Sequence, residues 1–184
     1  MTSSNDNPAS QLITPSESPR LETYDDSHVK AFVDAHNIKA RVFRLGVPTP
    51  TVQAAADTLD TVPERIIKSL IFVADGEPYV VIAAGTTRID DKKVAKALDI
   101  SRRKLRFAKP DDALAISGYV VGSMPPFAHR SPFPALVDSL SINTTAPHEV
   151  YFAGAGRVDA MMELSLEVLL TVIKPHIVPL SKDT

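Results

Sequence analysis

The sequence contains no cysteine and no tryptophan among its 184 residues. Without cysteine, the chain has no disulfide framework, no thiolate ligands for zinc and no cysteine nucleophile. Its longest apolar runs are about five residues, far short of the roughly 20 needed to span a bilayer. A hydrophobic fraction of 44% and a charged fraction of 23% are ordinary for a globular protein. Collagen-like, coiled-coil and wholly disordered chains are therefore excluded.

The usual sequence signatures of metal and catalytic sites are missing as well. No two of the histidines have the spacing of metal ligands on one element; they are His28, His36, His129, His148 and His176. Gly122-Ser123 is not followed by the glycine that a G-x-S-x-G nucleophile elbow requires. Gly154-Ala155-Gly156 supplies only half of a dinucleotide fingerprint, and a tight turn explains it better. We expect no metal, no cofactor and no serine-hydrolase triad.

Charge is distributed unevenly along the chain. The formal net charge is −2, yet residues 88–109 contain nine basic and three acidic side chains, so this segment carries +6 and the remainder −8. The basic residues are Arg88, Lys92, Lys93, Lys96, Arg102, Arg103, Lys104, Arg106 and Lys109. A locally basic face is what binding to a phosphate backbone requires. A solvated helix and strand with scattered ion pairs is the alternative interpretation.

The two ends of the chain differ in composition from its middle. Residues 1–26 are acidic, rich in serine and proline, and contain almost nothing to bury. We expect this segment to be a disordered tail, because it cannot offset its ordering entropy and lacks the features of a secretory signal. Residues 27–175 are predicted to form one folded domain. Residues 176–184 are predicted to be a short C-terminal tail.

Apolar periodicity predicts an irregular alternation of helices and strands. Helices are expected near 27–37, with Ser27 as the N-cap, and near 52–59, 90–98, 110–116 and 166–173. Strands are expected near 40–45, 67–74, 78–84, 105–108, 119–121, 136–138, 149–153 and 161–164. Asp75-Gly76 between two apolar strands indicates a hairpin and hence antiparallel pairing. The pattern predicts a mixed α/β (α+β) domain with one sheet rather than a doubly wound parallel fold.

Lys68 is a lone cation at the entrance of an apolar strand, between Ile67 and Leu70. Lysine in such a run is expensive to bury unless its ammonium group reaches an anion or a cleft. The alternative is that the side chain extends to an exposed edge of the sheet. Lys68 is therefore a candidate ligand-binding residue.

A second candidate is the loop Gly122-Ser123-Met124-Pro125-Pro126-Phe127. One glycine and two prolines make such a loop tight and stiff. It can direct backbone N–H groups at a ligand oxygen, as an oxyanion hole does. The alternative is a rigid connection to the next proline-rich stretch, Ser131-Pro132-Phe133-Pro134.

The chain resembles a known family, the YbaK / prolyl-tRNA-synthetase-associated editing domains. The resemblance rests on Lys68-Ser69-Leu70, the Gly122-x-x-x-Pro126 loop, Asp138 in Leu-Val-Asp-Ser-Leu, and the strand, glycine turn and helix between Glu149 and Ile173. These motifs occur in the family's order over about residues 27–175. The family includes free-standing deacylases that hydrolyse mischarged tRNA in the cytoplasm. It implies a compact domain whose mixed, largely antiparallel sheet curves around a pocket for the aminoacyl group and the terminal adenosine of tRNA.

The resemblance also implies roles for particular residues. Lys68 would position the tRNA 3′ end, and Gly122, Ser123 and Met124 would hold the developing oxyanion while a water or a ribose hydroxyl attacks. The implied substrate-binding residues are Pro125, Pro126, Phe127, His129, Asp138 and Gly154. His129 would orient a water or merely pack beside the loop, and Asp138 would support the pocket or contact the substrate's amino group. The implied tRNA contacts are Arg88, Lys92, Lys93, Arg102, Arg103 and Lys104.

Ala128 is a departure from the family pattern, because many members have glycine before the histidine that matches His129. Alanine is strained wherever φ is positive. A non-catalytic module that binds tRNA or an aminoacyl-tRNA synthetase is therefore an alternative to a deacylase acting on mischarged tRNA. A hydrolase of small-molecule esters is a third possibility. None of the three requires a membrane or a metal.

Overall fold

The computed structural model describes residues 22–182, which form five α-helices and eight β-strands. The helices are α1 (Asp26–Ala35), α2 (Val52–Thr58), α3 (Asp91–Ala97), α4 (Pro110–Ser117) and α5 (Leu166–Ile173). The strands are β1 (Ala40–Arg44), β2 (Ile66–Ala74), β3 (Glu77–Ala84), β4 (Leu105–Phe107), β5 (Ala135–Asp138), β6 (Val150–Gly154), β7 (Ala160–Ser165) and β8 (His176–Val178). Short 3₁₀ turns at Pro63–Arg65 and Arg102–Lys104 precede β2 and β4.

All eight strands belong to one mixed sheet. Its order is β1–β7–β6–β2–β3–β5–β8, with β4 beside β2 and outside this path. Four pairings are antiparallel: β1–β7, β6–β7, β2–β3 and β2–β4. Three are parallel: β2–β6, β3–β5 and β5–β8. The predicted mixed α/β architecture with a single, mainly antiparallel sheet is confirmed.

The edge of β2 that faces away from β3 is divided between two partners. β6 pairs with this edge at Ile66 and Ile67, and β4 pairs with it at Phe72, Val73 and Ala74. Among the strands of the described chain, none pairs with this edge at residues 68–71. The sheet therefore has a gap along the middle of its longest strand.

Side chains of β2 alternate between the two faces of the sheet. Ile67, Ile71 and Val73 point into the main core, together with residues of α1 and α5 and alternate residues of β3, β5, β6 and β7. On the other face, Phe72 packs into a second cluster with α3 and β4, and Ile66 packs into a third with α2 and β7. Because side chains alternate along a strand, Lys68 lies on that second face, between the two smaller clusters.

The beginning of the domain differs from its prediction. Of the predicted N-terminal tail, residues 1–21 lie outside the described part of the chain. Tyr24 is already part of the fold, because its N–H donates to the carbonyl oxygen of Gly118 and its ring stacks on His28. Asp25 caps α1 in place of the predicted Ser27: its carboxylate accepts from the Ser27 N–H while His28 closes a capping box. The longer reach of a carboxylate and the reciprocal bond favour this cap.

Residues 119–121 do not form the predicted strand. Gly118 ends α4 in the left-handed conformation (φ 91°), and the chain then turns around Gly122, which also has a positive φ of 91°. Tyr119 is fully buried in the main core, while Val121 is exposed. An apolar triplet between two such turns has too few residues to pair with a neighbour.

The predicted C-terminal tail contributes a strand. His176–Val178 form β8 beside β5, and Leu180, two residues later, is fully buried. Prolines at 175 and 179 bracket this strand, so it is too short to show a periodic signal in the sequence. Residues 183–184 lie outside the described part of the chain.

Candidate functional site

The gap in the sheet opens into a cavity of about 250 Å³. Its floor is β2 from Ile66 to Ile71. Its walls include residues 49–55 at the start of α2, the turn carrying Gly122 and Met124, and the end of β4 with Phe107. Single residues of α4, β6 and β7 complete the lining: Ala113, Gly154 and Met161. The lining is mostly apolar, and Lys68 is the one ionisable side chain among the residues that line it. The structure therefore brings Lys68 and the glycine–proline loop to one site.

Ser69 supplies unused polar groups to this cavity. The carbonyl oxygen of Ile66 accepts from Gly85 on the β3 side, whereas that of Ile71 accepts from Ala108 at the gap edge. Because these directions alternate along a strand, the backbone groups of Ser69 point to the gap. Ser69 is 8% exposed, and its hydroxyl has no hydrogen-bond partner among the described residues. Buried hydroxyls are normally paired, so a ligand atom is the natural partner.

Ser69 does not stand out in the sequence. Its only signal was its place beside Lys68 in the Lys68-Ser69-Leu70 motif. Serine in an apolar strand is common enough that the composition alone indicates nothing.

Lys68 is half-buried, and its ammonium group donates a hydrogen bond to the carbonyl oxygen of Thr87. Burial lowers the pKa of Lys68, and the negative charge of Asp138 partly offsets this effect. An ammonium group has three donors, so the bond to Thr87 fixes its position and leaves two donors for an anionic ligand. Lys68 is therefore held at the cavity rather than extended into solvent.

Asp138 is fully buried at the end of β5 and does not line the cavity. Its Oδ1 accepts from the N–H groups of Leu180 (2.7 Å) and Ser181 (3.1 Å), and its Oδ2 accepts from the Ser181 hydroxyl (2.8 Å). Burial alone would raise the pKa of Asp138, but these bonds hold it below its usual value. Of the two roles considered for Asp138, the geometry favours support: it anchors the segment after β8 and balances the charge of Lys68.

Ser123 differs from its predicted role as an oxyanion donor. It is fully buried and donates both its N–H (3.2 Å) and its hydroxyl (2.9 Å) to the carbonyl oxygen of Val120. Its donors therefore hold the turn together and are not free for a substrate. Gly122 and Met124 both line the cavity, and their N–H groups have no hydrogen bond within the described part of the chain. Two of the three predicted donors remain available.

Gly154 places the loop against the sheet. A β-carbon at Gly154 would lie 2.8 Å from the carbonyl oxygen of Met124 and 3.0 Å from that of Ser123. Two residues later, the N–H of Gly156 donates to the Ser123 carbonyl at 2.8 Å. Gly154 also lines the cavity, so its lack of a side chain serves both the close approach and the open space.

The remaining predicted substrate-binding residues do not line the cavity. Pro125, Pro126 and Phe127 are buried, and the Phe127 ring packs 5.7 Å from Phe32 of α1. His129 stacks on Phe133, and its Nε2 lies 2.9 Å from the carbonyl oxygen of Pro125. Burial lowers the pKa of His129 to about 4, so the ring is neutral at pH 7 and Nε2 donates the bond. His129 packs beside the loop and braces it.

Ala128 adopts the left-handed conformation with φ 65°. Its carbonyl oxygen accepts a hydrogen bond from the buried Tyr119 hydroxyl at 2.9 Å. The loop therefore keeps a conformation typical of glycine at this position, at a cost of about 1 kcal/mol.

The six basic residues predicted to contact nucleic acid fall into two groups. Arg102 is paired with Asp91, Lys104 is paired with Asp75 at 2.8 Å, and Lys93 donates to the Ser181 carbonyl at 2.7 Å. The side chains of the other three are exposed and have no ion pair or hydrogen bond within residues 22–182; they are Arg88, Lys92 and Arg103. Half of the six residues therefore fit a solvated face with internal pairs, and the other half are available to bind a phosphate backbone.

Residues 22–182 contain no group of three or more histidine, aspartate or glutamate side chains arranged to hold a metal ion. No helix in the same range is long and apolar enough to cross a membrane.

The chain is similar in sequence to a family of domains and to bacterial proteins. The family model described as an aminoacyl-tRNA editing domain matches residues 47–172, more than half of the chain. The chain is 35% identical over 78 residues to the uncharacterized protein YwhH of Bacillus subtilis strain 168, covering 42% of this chain and 48% of YwhH. It is 36% identical over 83 residues to the proline–tRNA ligase of Geobacillus thermodenitrificans strain NG80-2, covering 44% of this chain and 14% of the ligase. The match thus spans about half of the first relative and a small part of the second.

Solved structures share the fold. A candidate trans-editing enzyme for prolyl tRNA synthetase aligns with a TM-score of 0.77 at 24% identity, covering 86% of this chain and 97% of that chain. The hypothetical protein APE2540 aligns with a TM-score of 0.74 at 24% identity, covering 84% and 99%. At this identity the likeness establishes the architecture.

Proposed function

Because the chain belongs to the aminoacyl-tRNA editing domain family, we propose that it hydrolyses the ester bond of mischarged aminoacyl-tRNA. The observation that carries this proposal is the cavity in the gap of the sheet. A fixed cation, Lys68, lines this cavity together with Gly122 and Met124, whose N–H groups have no hydrogen bond within the described part of the chain. A cation for a phosphate and paired amides for a carbonyl oxygen are the two features that an RNA-linked ester requires.

Lys68 binds a phosphate near the tRNA 3′ end in this proposal. The hydrogen bond to Thr87 holds the ammonium group in place before the substrate arrives. The apolar walls strengthen its attraction for an anion, because water screens the charge less there. Lys68 is thus a binding and positioning residue that fixes where the ester lies.

The N–H groups of Gly122 and Met124 stabilise the oxyanion that forms on the ester carbonyl. The turn that carries them is held by the two bonds from Ser123 to Val120 and by the contact of Met124 with Gly154. Donors fixed before the reaction need no reorganisation as the negative charge develops, which is the source of oxyanion-hole catalysis.

Water is the attacking group in this proposal, since the cavity lining holds no cysteine nucleophile and no histidine, aspartate or glutamate to activate a serine or threonine hydroxyl. The water oxygen forms a bond to the carbonyl carbon, and the bond from that carbon to the ribose oxygen breaks. One water proton ends on the departing ribose oxygen, passed through the neighbouring ribose hydroxyl, and the products are the free amino acid and tRNA with a free 3′ end. The Ser69 hydroxyl, which is buried and unpartnered, holds this water or a polar group of the aminoacyl moiety.

The proposed partner is mischarged tRNA, bound through the cavity and through the unpaired basic side chains of residues 88–109. An aminoacyl-tRNA synthetase is a second proposed partner, since a relative of this chain is a proline–tRNA ligase that contains the matching segment. The proposed folded unit extends the predicted range of 27–175 to include Tyr24 and the cap of α1 at its start, and β8 with Leu180 and Ser181 at its end. The proposed place of action is the cytoplasm, where tRNA is charged.

A panel of tRNAs, each charged with a wrong amino acid, tests the proposal. The full chain is expected to release amino acid from at least one of them, to spare the correctly charged tRNA, and to be inhibited by uncharged tRNA. Binding to the panel without ester loss would contradict the proposal and support a non-catalytic module. Hydrolysis of small esters that uncharged tRNA does not inhibit would instead indicate a small-molecule esterase. Ala128 is the residue that favours the non-catalytic module, and the loop accommodates it with φ 65°.

A further inference from the structure

We propose that Phe107 is a stacking platform for the terminal base of the RNA, placed at the mouth of the cavity. This inference rests on the proposed function, which supplies an RNA-linked ester but assigns no residue to its base. Phe107 lines the cavity at the end of β4 and is 50% exposed. No sequence signal pointed to it.

The Phe107 ring is fixed along one side and open on another. It contacts the buried ring of Phe72 in an edge-to-face arrangement, with ring centroids 5.3 Å apart and planes at 72°. Phe72 and Phe107 are register partners in the β2–β4 pair. An aromatic ring held in this way exposes a π-face whose orientation is set by the sheet, and a planar ligand stacks on such a face without first ordering it.

Phe107 lies on the same face of the sheet as Lys68. Lys68 and Phe72 are four residues apart on β2, so their side chains point to the same face, and roughly 13 Å separates their Cα atoms at the rise of an extended strand. Phe107 pairs with Phe72 and shares that face with it. Lys68, Leu70 and Phe107 all line the cavity, so the cation and the exposed ring lie at two ends of its wall on this face of the sheet.

A lysine follows Phe107 two residues later in the chain. Lys109 is exposed, and its side chain has no ion pair or hydrogen bond within residues 22–182. Arg106, on the other side, is neutralised by Asp112. An aromatic platform accompanied by unpaired lysines is the pattern that binds single-stranded RNA, in which bases stack and phosphates meet cations. The unpaired 3′ end of tRNA has this chemistry.

Stacking on Phe107 is open to two sources of a base, the 3′-terminal nucleotide of an RNA and a free mononucleotide. The distance from Lys68 favours the RNA end, because a chain carrying several phosphates reaches both Lys68 and the ring. We therefore assign the platform to the terminal adenine of an RNA.

Fluorescence tests this assignment directly, because the chain contains no tryptophan. Phe107→Trp creates a single reporter at the platform, and Ile177→Trp creates a control reporter on β8, where Ile177 is 42% exposed. An uncharged RNA minihelix ending in CCA is expected to quench the first reporter and leave the second unchanged. A minihelix ending in CC, without the terminal adenosine, should quench the first much less. Equal quenching by both minihelices, tighter binding of AMP than of the CCA minihelix, or no quenching would overturn the assignment.

A kinetic test uses the ester itself. Phe107→Leu keeps the apolar contact with Phe72 but removes the π-face, and we expect it to raise KM for an aminoacyl minihelix about tenfold. Phe107→Tyr should retain the wild-type KM. Equal KM values for the leucine and tyrosine variants on the minihelix would overturn the platform.

The two tests separate this inference from the proposed function. Adenosine-dependent quenching by a protein that hydrolyses no mischarged tRNA would leave the platform in place and contradict the deacylase proposal. Hydrolysis of mischarged tRNA without adenosine-dependent quenching would leave the deacylase proposal in place and overturn the platform.

Discussion

Gly154 of β6 lies directly against the carbonyl oxygen of Met124, at a distance that leaves no room for a β-carbon: one placed on Gly154 would be 2.8 Å from that oxygen. The contact joins the loop that offers the N–H groups of Gly122 and Met124 to the sheet that carries Lys68. It therefore sets the distance between the proposed oxyanion donors and the proposed phosphate-binding cation.

Gly154→Ala is expected to displace this loop. A shift of about 1 Å in catalytic groups can lower a rate by about 10²-fold, so we expect deacylation to fall at least tenfold with the protein still folded. Gly76→Ala is the control, because Gly76 lies in the β2–β3 turn with φ 92° and no atom within 4 Å of an added β-carbon. It should lose about 1 kcal/mol of stability and keep its activity. Full activity in a folded Gly154→Ala variant would show that the loop position is not critical.

His129 should make stability depend on pH. Its pKa is about 4 in the folded protein, lowered by burial from an ordinary value of 6.5. Between these values the unfolded chain takes up a proton that the folded protein does not. The contribution of His129 to the free energy of unfolding is therefore lost as the pH falls from about 6.5 to 4. Denaturant unfolding of wild type and His129→Gln at several pH values measures this contribution. The stability of wild type relative to the variant should decline over this interval and stay level above it.

The pH profile of deacylation shows whether His129 braces the loop or takes part in catalysis. Because His129 contacts Pro125 and not the cavity, deacylation by wild type and His129→Gln should have the same pH profile between pH 5 and 8. A step in the wild-type profile that the variant lacks would give His129 a role in proton transfer.

Ala128→Gly should stabilise the protein. The left-handed conformation of Ala128, with φ 65°, is strained for alanine and allowed for glycine, so we expect a gain of about 1 kcal/mol in the free energy of unfolding. Ala95→Gly, in the middle of α3, is the matched control with the opposite sign, a loss of about 1 kcal/mol. A loss of stability in both variants would mean that the strain at Ala128 is relieved in another way.

The basic segment can be divided by ion pairing. Arg103 is unpaired within the described chain, whereas its neighbour Lys104 is paired with Asp75. Arg103→Gln should weaken tRNA binding and reduce the slope of log affinity against log salt by about 0.7 to 0.9. Lys104→Gln should have a smaller effect on both, because Asp75 already neutralises that charge. Equal effects would show that the ion pair opens on binding, and no effect of either would make the segment a solvated face.

Much of the fold was predictable because its elements are periodic over several residues. The β2–β3 hairpin was read from two apolar strands around Asp75-Gly76, and α5 matched its predicted range of 166–173. β8 was not predictable, because three residues between two prolines carry no periodicity. Its place in the sheet depends on the bonds that Leu180 and Ser181 make to Asp138, 42 and 43 residues earlier in the chain.

The candidate site was predictable only where chemistry stands out in the sequence. Lys68 stands out in the sequence because a cation in an apolar strand is costly to bury unless it reaches an anion or a cleft. Ser69 and Phe107 were not, because their importance comes from an absent hydrogen bond and an exposed ring, which appear only in three dimensions. The pairing of Arg102 with Asp91 was equally hidden, since it depends on how the 3₁₀ turn packs against α3.

Lys68→Met tests the central claim most directly. Methionine keeps the apolar stem and removes the charge. Burial lowers the pKa of Lys68, so the charged form is disfavoured in the folded state. Losing this cost offsets the lost hydrogen bond to Thr87 and the lost attraction of Asp138, so the variant should remain folded at pH 7. The measurement is the single-turnover rate of deacylation on a mischarged tRNA that the wild type hydrolyses. We expect a loss of at least about tenfold in a variant that remains folded. Unchanged turnover by a folded Lys68→Met variant would contradict it.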